Sequence, residues 1–489
     1  MLLLLLACAD ADLKLDDEPA EGDTATLTVD GPAALDPLLG TATFALARSG
    51  GDTVTVAIHD ASGAPVRTLV DSGAWVDSVT WDGRNDAGAL VSIGTYSVFA
   101  SLEETGTVVA EAATTAAVVR IGVTSGTLGG DDRIPLVWHA DGRRGNYWEA
   151  ADDSATFSLA AIDQDGVAAT IPAPWDDLYA PPDDLTTQNL PAAYPWDARP
   201  TLSLVVGGDA TALEPGALTA AIDGWTLTAG EATPGSTLTF TKDTALATGP
   251  RVVEETLTLR WRVGEDDVGT QAVPLRIYAL LGPPAFEEEG APYLPWVAVI
   301  DPALRAVDGV EPTQAAVISG LVEHIYRDLG LSYDTQWGAS AYTQYDGRAF
   351  DNAHIDLSGF LDRTRGSIVN CTDCAAILEA FANMVGAALE YTIITPSFGL
   401  NYIQAIGADT YTQCPFGSGG CGFSYHAVTT PDGGATIYDA TLALDGDTDP
   451  GASPSTELLV QAITGEEYLD RLVSSGDPSY RFTQKETLQ

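Results

Sequence analysis

Apolar and polar residues alternate along much of the chain before residue 285. In residues 53–60, TVTVAIHD, and in residues 254–263, EETLTLRWRV, every second side chain is large and apolar. A period of two places the apolar side chains on one face of an extended strand. Turns rich in Gly, Asn, Asp and Pro separate such segments. The pattern predicts two β-sandwich domains of Ig-like type, over residues 40–120 and 121–285.

The pattern changes after a segment rich in Pro and Glu, PPAFEEEG at residues 283–290. Residues 312–329, PTQAAVISGLVEHIYRDL, repeat apolar side chains at the spacing of an amphipathic helix. A second helical pattern begins at Cys371 and ends at Gly386. Alternating strands follow it. The sequence therefore predicts a multidomain chain whose last domain, residues 293–489, is α+β.

The chain begins with MLLLLLACAD, a short apolar run followed by a small residue and Cys8. This segment resembles a bacterial lipoprotein signal, in which the cysteine becomes lipidated and the preceding residues are removed. The resemblance implies that residues 1–8 are the signal and that the protein is exported and anchored to a membrane of the cell envelope. An ordinary signal peptide would instead give a secreted protein. Residues 9–39 are acidic and rich in small residues, which predicts a flexible tether.

The charge of the chain argues against one class of partner. Its 69 acidic and 22 basic residues give a net charge of −47, and such a surface repels the phosphates of nucleic acids. We therefore predict no nucleic-acid partner. The chain is 45% hydrophobic, enough to bury packed cores rather than remain disordered throughout.

The first predicted sandwich carries three turn motifs in order. These are DASG at residues 60–63, WDGRNDAG at residues 81–88 and GTY at residues 94–96. Together they resemble the Ig-like domain of flagellar hook-capping proteins. The resemblance implies a β-sandwich that serves as a spacer or adhesion unit, with Trp81 in its core.

Cys371 and Cys374 stand at the start of the second predicted helix. Unpaired N–H groups and the helix dipole favour an anion there, so a thiol can be held as the nucleophilic thiolate. His426 lies in an alternating strand, and Asp439 lies in the strand after the next turn. A hairpin can place the two side by side, and an Asp beside a His orients the ring and stabilises its charged form.

These residues carry a second resemblance. CTDCA at residues 371–375 is similar to the C-x-D-x-A helix start of the transglutaminase-like superfamily. HAV at residues 426–428 and YDAT at residues 438–441 resemble the His and Asp strands of that superfamily. The resemblance covers about residues 293–475. Val428 departs from the pattern, because many members have Trp there.

The resemblance implies a papain-like fold with a catalytic triad of Cys371, His426 and Asp439. An enzyme of this type is a cysteine peptidase, amidase or transamidase. It cleaves or cross-links peptide or glutamine amides through a thioester on Cys371, acts on a protein or peptide, and uses neither cofactor nor metal. Gln336 or Trp337, together with the backbone N–H of Cys371, is the predicted oxyanion donor.

The sequence leaves several alternatives open. Cys371, Cys374, Cys414 and Cys421 can together form a zinc site. Export instead favours a Cys414–Cys421 disulfide. The C-x-x-C pair also occurs in thioredoxin-like proteins, and a Cys371–Cys374 disulfide would hold an enzyme inactive. The last alternative is a non-catalytic surface or adhesion lipoprotein that uses the papain-like domain as a scaffold.

Overall fold

The computed structural model describes most of the chain in separate segments. Cys8, the predicted signal and the first part of the predicted tether lie outside them. Within the described part, no helix is both long enough and apolar enough to cross a membrane. The described residues are 24–134, 136–138, 148–149, 155–158, 192–285, 287–288, 291–292, 295–345, 353–417, 420–454, 456–482 and 487–488.

The chain divides into two compact units. The first is a β-sandwich made of the described residues up to Arg120, together with the two later segments Asp209–Ala217 and Arg262–Gly269. A three-stranded and a five-stranded sheet share one apolar core in it. Thr26–Asp30 pairs with Ala42–Ser49, so the end of the predicted tether is a strand of this sandwich. The smaller sheet contains, in spatial order, Thr26–Asp30, Ala42–Ser49 and Ser78–Trp81; the larger contains Ala34–Leu35, Thr107–Val118, Gly94–Glu104, Thr53–His59 and Pro65–Ala74.

Trp81 is a core residue of this sandwich, as the motif resemblance predicts. Its side chain is fully buried, and its ring meets that of Tyr96 edge-on with a centroid distance of 5.3 Å. Its indole N–H donates to the carbonyl of Arg84 at 3.0 Å. The valine and isoleucine side chains of Thr53–His59 are buried in the same core. The alternation of this strand therefore indicated its buried face correctly.

Nine of the described strands between Arg120 and Leu280 form one hydrogen-bonded sheet. The long strands Arg251–Val263 and Asp266–Leu280 are neighbours in it, and Ala192–Pro195 pairs in parallel with the second of them. Alternation predicts strands but not which strands pair, so the order of these strands could not be predicted from the sequence. In spatial order the strands are Ala155–Ser158, Arg120–Gly129, Thr201–Asp209, Thr237–Lys242, Trp225–Ala229, Leu218–Ile222, Arg251–Val263, Asp266–Leu280 and Ala192–Pro195. The short strands Val137–Trp138 and Trp148–Glu149 form a separate pair.

Helices and strands are mixed in the chain beyond residue 295. The helix predicted from residues 312–329 is present, although it begins after Thr313, whose hydroxyl accepts a hydrogen bond from the Ala316 N–H. The helices are α1 (Val297–Ala306), α2 (Gln314–Glu323), α3 (Leu357–Leu361), α4 (Cys371–Met384) and α5 (Gly465–Leu472). A π-helical turn, His324–Asp328, extends α2.

Helix α4 packs against the two central strands of a six-stranded sheet, His426–Thr430 and Thr436–Asp445. All 14 residues of α4 are buried, so every face of the helix has a packing partner. The helix is followed by Gly386 in the left-handed conformation, with φ of 87°, a typical helix end. The other strands of this sheet are Ile403–Ala405, Glu390–Thr395, Glu457–Thr464 and Ser479–Phe482. Shorter strands outside it are Glu287–Glu288, Ala291–Pro292, Ser332–Tyr333, Thr343–Tyr345, Ala353–Ile355, Ile368–Val369, Phe398–Leu400, Gly422–Phe423, Val473–Ser475 and Thr487–Leu488.

Candidate active site

Cys371 is the first residue of α4. Asn370 caps the helix: its side chain accepts a hydrogen bond from the Asp373 N–H at 3.1 Å, and the Asp373 carboxylate accepts one from the Asn370 N–H at 3.2 Å. This capping box fixes the direction in which the chain enters the helix. The Cys371 thiol therefore lies at the positive end of the α4 dipole, where a negative charge is stabilised.

His426 and Asp439 form a buried hydrogen-bonded pair. The imidazole Nε2 lies 2.8 Å from Asp439 Oδ2, and the side chains are 0% and 1% exposed. The backbone N–H of Thr441 donates to Asp439 Oδ1, and the hydroxyl of Tyr468 donates to Oδ2, both at 2.7 Å. Three groups thus hold the carboxylate in place, and the carboxylate in turn fixes the ring of His426.

The Cys371 sulfur lies beside the His426 ring and raises the pKa of the imidazole. Nδ1 is buried and has no hydrogen-bond partner among the described residues. The ring of Phe423 stacks on His426 with a centroid distance of 4.8 Å and an interplanar angle of 15°. Helix α4 and the hairpin therefore bring together the three residues for which the sequence predicts a triad, Cys371, His426 and Asp439.

The charges around His426 favour its protonated form. Burial alone lowers the pKa of the imidazole. The Asp439 carboxylate, followed by the Cys371 sulfur, raises this pKa by more than burial lowers it, and the resulting pKa is about 10. A protonated His426 can compensate a thiolate on one side while it donates to the carboxylate on the other. The electrostatics of the site therefore favour a positively charged imidazole between Asp439 and Cys371.

This raised pKa predicts a pH dependence of stability. An unfolded histidine has a pKa of about 6.5, whereas the pKa of folded His426 is about 10, so between these values the folded chain holds a proton that the unfolded chain has lost. The stabilisation is complete below about pH 6.5 and is lost as the pH rises towards 10, by at most about 1.4 kcal/mol per pH unit. Urea unfolding at several pH values in this window measures the slope.

The Asp439→Asn variant serves as the reference for that measurement. Removal of the carboxylate takes away the largest cause that raises the His426 pKa, so the free energy of unfolding of this variant should decrease less steeply over the same window. Subtraction of the two curves cancels the titration of distant groups. Parallel curves for the two proteins would contradict the assigned charge state.

Two tyrosines beside Cys371 were not identified from the sequence. Tyr333 lines the same cleft as Cys371. Burial, followed by the effect of that cysteine, raises the pKa of Tyr333 well above its usual value. Tyr425 is hydrogen-bonded to the Thr372 hydroxyl at 3.1 Å. Burial, followed by the charge on Cys371, raises the pKa of Tyr425. Both tyrosines are therefore neutral hydrogen-bonding groups next to the thiol at physiological pH.

The two predicted oxyanion donors line the cleft of the thiol, but neither forms a hydrogen bond with it in the described structure. Gln336 and Trp337 line the same cleft as Cys371. Their backbone N–H groups donate to Asp334 Oδ1 at 3.0 and 3.1 Å and are thus already engaged. Tyr333, in the short strand before them, lines the same cleft, and the thiol contributes to the raised pKa of its hydroxyl.

Cys374 occupies a different environment from Cys371. It is fully buried one turn further along α4. Burial first, and then the charges of Asp373 and Asp439, raise the pKa of the Cys374 thiol well above its usual value. Cys371 and Cys374 are both free thiols in the structure. Cys374 is thus a neutral core residue, and the disulfide between the two is not formed.

Cys414 and Cys421 form a disulfide. Two of the four sulfurs of the alternative zinc site are therefore bonded to each other, and a zinc ion cannot use them as thiolates. In the described part of the chain, no group of three or more His, Cys, Asp or Glu side chains is arranged for a metal ion. The disulfide closes a loop that immediately precedes the strand of Phe423.

An open cleft of about 750 Å³ lies over Cys371. Aromatic side chains and glycines form most of its wall, and the wall also includes the two residues Gln336 and Ser424. The aromatic residues are Tyr333, Trp337, Phe416, Phe423 and Tyr425, and the glycines are Gly338, Gly417, Gly420 and Gly422. Although the Cys371 side chain is only 3% exposed, a substrate in this cleft would reach it.

Comparisons with solved structures show short and weak similarities. A β-glucuronidase from Ruminococcus gnavus is 13% identical over 20% of this chain and 17% of its own, with a TM-score of 0.15. The N-terminal eight Ig domains of the Down Syndrome Cell Adhesion Molecule are 12% identical over 53% of this chain and 24% of their own, with a TM-score of 0.16. This chain thus matches less than a quarter of the length of either protein. No curated protein matches it.

One family model matches part of the chain. It describes the FlgD Ig-like domain and covers residues 34–106. This span runs from the strand Ala34–Leu35 to the strand Gly94–Glu104 and includes the turn motif after Trp81. The match supports the Ig-like nature of the first sandwich, which the sequence motifs predict.

Proposed function

We propose that residues 293–489 form a transglutaminase-like domain and that the protein transfers acyl groups through a thioester on Cys371. One observation carries this proposal. A buried Asp439 holds one nitrogen of His426, and the other side of the ring faces a cysteine at a helix N-terminus. This arrangement provides a nucleophile, a proton carrier and a group that orients the carrier.

In the proposed reaction, the Cys371 thiolate attacks the carbonyl carbon of a peptide or glutamine amide. The C–S bond forms, and the carbonyl electron pair moves onto the oxygen. His426 then passes its Nδ1 proton to the leaving nitrogen as the C–N bond breaks, which leaves a thioester on Cys371. Asp439 keeps Nε2 in a hydrogen bond throughout, so the ring does not rotate away from the reacting atoms.

An acceptor completes the reaction. Water or an amine attacks the thioester carbon, and His426 takes a proton from this attacking acceptor. The C–S bond then breaks, and Cys371 leaves as the thiolate. Water gives hydrolysis, and an amine gives cross-linking. We favour water, because it is the more abundant acceptor.

The oxyanion needs donors close to the sulfur. The backbone N–H of Cys371 is at the helix start, and Tyr333 lines the cleft of the thiol, which raises the pKa of the Tyr333 hydroxyl. We assign the second donor to Tyr333 in preference to Gln336 or Trp337, because a hydroxyl on which the thiol acts in this way is also near the carbonyl oxygen in the tetrahedral intermediate.

The same proposal places the protein outside the cytoplasm. Disulfides such as Cys414–Cys421 persist in oxidising compartments, which supports an exported protein. We propose that Cys8 carries a lipid anchor and that the Ig-like domain separates the catalytic domain from the membrane. The substrate is then a protein or peptide in the cell envelope or beyond it.

The test is covalent labelling of the native protein with a small electrophilic thiol probe, iodoacetamide carrying an alkyne. We expect rapid labelling of the wild type and of Cys374→Ala, and no rapid labelling of Cys371→Ala. Cys374→Ala is a matched control, because the same change is made one turn further along the same helix. Equal labelling of all three proteins would exclude a specially nucleophilic Cys371.

A second function is favoured by one observation. The Cys371 side chain is 3% exposed, and a thiol without access would suit a non-catalytic surface or adhesion protein with a papain-like scaffold. The same experiment separates the two functions. If Cys371 is labelled only after urea unfolds the protein, the scaffold is correct; if it is labelled in the native state, the cleft gives access to it.

A further inference from the structure

Among the described residues that form the wall of the cleft, none has a charged side chain. Its residues are aromatic, glycine, or neutral and polar, apart from Cys371 itself. The chain as a whole has 69 acidic residues and a net charge of −47, so a neutral wall of this size is a local exception. An ionised group that entered it would lose hydration and find no cation among the wall residues. The wall therefore disfavours acidic substrates and accommodates uncharged ones.

Trp337 is exposed in a way that folding does not explain. Its side chain is 78% exposed, the largest fraction among the large hydrophobic residues of the described part of the chain. Burial of an indole is favourable by the hydrophobic effect, so an exposed one beside a nucleophile indicates a contact that is completed by a ligand.

The loop that presents Trp337 is rigid. The carboxylate of Asp334 accepts hydrogen bonds from the backbone N–H groups of Gln336, Trp337 and Ala339 at 3.0 to 3.1 Å. The side chain of Asn370, the cap of α4, donates to the carbonyl of Gly338 at 3.0 Å. The indole is thus attached to a fixed backbone that is tied to the helix of Cys371, and such preorganisation lowers the entropic cost of binding.

Phe416 provides a second aromatic group within the disulfide-closed segment Cys414–Cys421. Its ring lies 6.1 Å from the centroid of Tyr333 and 5.7 Å from that of Phe423. Phe423 in turn stacks on His426. The aromatic wall is therefore continuous from the disulfide segment to the imidazole, and a flat group bound against it lies next to the reacting thiol.

We propose that the cleft selects acyl donors that carry an uncharged aromatic side chain next to the reacting carbonyl, with Trp337 and Phe416 as the groups that bind this side chain. The proposal names a substrate class for the proposed thiol acyl transfer and rests on it. The aromatic side chain buries the exposed face of Trp337 and makes ring contacts that an aliphatic side chain does not make. A carboxylate in its place is repelled by the negative protein and is not compensated by the wall.

The test uses three acyl donors that differ only in the side chain next to the reacting carbonyl: the α-methyl esters of acetyl-Phe, acetyl-Leu and acetyl-Glu. The leaving group, methanol, is too small to compete for the aromatic wall, and chromatography measures the acid that is formed. We expect kcat/KM for the Phe donor to exceed kcat/KM for the Leu donor by about tenfold, which corresponds to the energy of one aromatic contact. The ratio between the Phe and Glu donors should be larger than this.

Trp337→Ala is the variant that tests the assignment. It should reduce the ratio of kcat/KM between the Phe and Leu donors to about one. Ile368→Ala is the matched control, since Ile368 is also a large exposed hydrophobic residue, at 57%, but is not part of the cleft wall. This control should keep the wild-type ratio. Equal kcat/KM for the Phe and Glu donors in the wild type, or an unchanged ratio in Trp337→Ala, would overturn the proposal.

A binding measurement distinguishes this proposal from the proposed function. Calorimetric titration of the Cys371→Ala variant with acetyl-Phe α-amide and acetyl-Glu α-amide reports selection without any reaction. If the wild type turns over no donor faster than Cys371→Ala does, acyl transfer is wrong, and preferential binding of the Phe amide still supports the aromatic cleft. If donors are turned over but neither rate nor binding favours Phe, the aromatic selection alone is wrong.

Discussion

Substitution of His426 by alanine is expected to slow the acylation of Cys371 by about 10⁴-fold at neutral pH. The imidazole has a raised pKa of about 10, which keeps it positively charged beside the thiol at neutral pH. Without it, the thiolate loses its counter-charge and the leaving group loses its proton donor. The buried Asp439 is also left without its principal partner.

The rate is measured as the first, rapid release of p-nitrophenol from p-nitrophenyl acetate, which reports acylation separately from the later release of the acyl group. Asp439→Asn should reduce the rate less, by about 10²-fold, because the ring remains but its orienting acceptor is weakened. Tyr468→Phe removes one of the three donors to that carboxylate, and we expect a decrease of less than about tenfold.

His59→Ala is the control for this series. His59 lies in the first sandwich, where its ring stacks on Phe99 with a centroid distance of 5.9 Å. The rate of acylation should be that of the wild type, because this histidine belongs to the other compact unit. If His426→Ala acylates as fast as this control, the imidazole is not the proton carrier, and the proposed mechanism fails even if the thiol is reactive.

The parts of the site that could be predicted from the sequence are those whose residues lie in elements with a clear pattern. A helical pattern at Cys371 and two alternating strands around a turn were sufficient, since helix α4 packs on that hairpin. The Ig-like sandwich was predictable for the same reason, because alternation and turn motifs are local. Each of these signals is contained within a short stretch of chain.

The rest of the site depends on contacts that no local pattern records. Tyr333 and Cys371 are far apart in the chain, and Tyr333 stands in a two-residue strand that pairs with Ile368–Val369. Tyr468 reaches Asp439 from a short helix with no motif of its own. Gln336 and Trp337 were selected because an amide or indole can donate a hydrogen bond. Tyr333, which lines the same cleft and whose pKa the thiol raises, has no motif that would mark it in the sequence.

Substitution of Asp373 by alanine is expected to lower the free energy of unfolding of the second compact unit by about 5 kcal/mol. The Asp373 side chain is fully buried. Its carboxylate accepts four backbone hydrogen bonds, from the N–H groups of Ala341, Tyr342, Thr343 and Asn370, at 2.7, 2.8, 2.8 and 3.2 Å. Alanine leaves these donors without their acceptor, and each buried donor without a partner costs about 1–3 kcal/mol.

The same substitution should also affect the site. Asp373 ties the segment of Ala341 to the start of α4, and that segment continues the loop of Trp337. Loss of this tie releases both the helix start and the aromatic wall of the cleft. We therefore expect Asp373→Ala to lower the rate of acylation of Cys371 even at a temperature at which the variant remains folded.

Asp356→Ala is the matched control for Asp373→Ala. Asp356 also caps a helix, α3, and its side chain accepts a hydrogen bond from the Gly359 N–H at 2.9 Å. Its side chain is 41% exposed, so water can replace the lost bond, and we expect a loss of only about 1 kcal/mol. Urea unfolding of the two variants beside the wild type measures the difference. Similar losses for both would mean that Asp373 acts as an ordinary helix cap, and the four-bond clamp would not hold Cys371 in position.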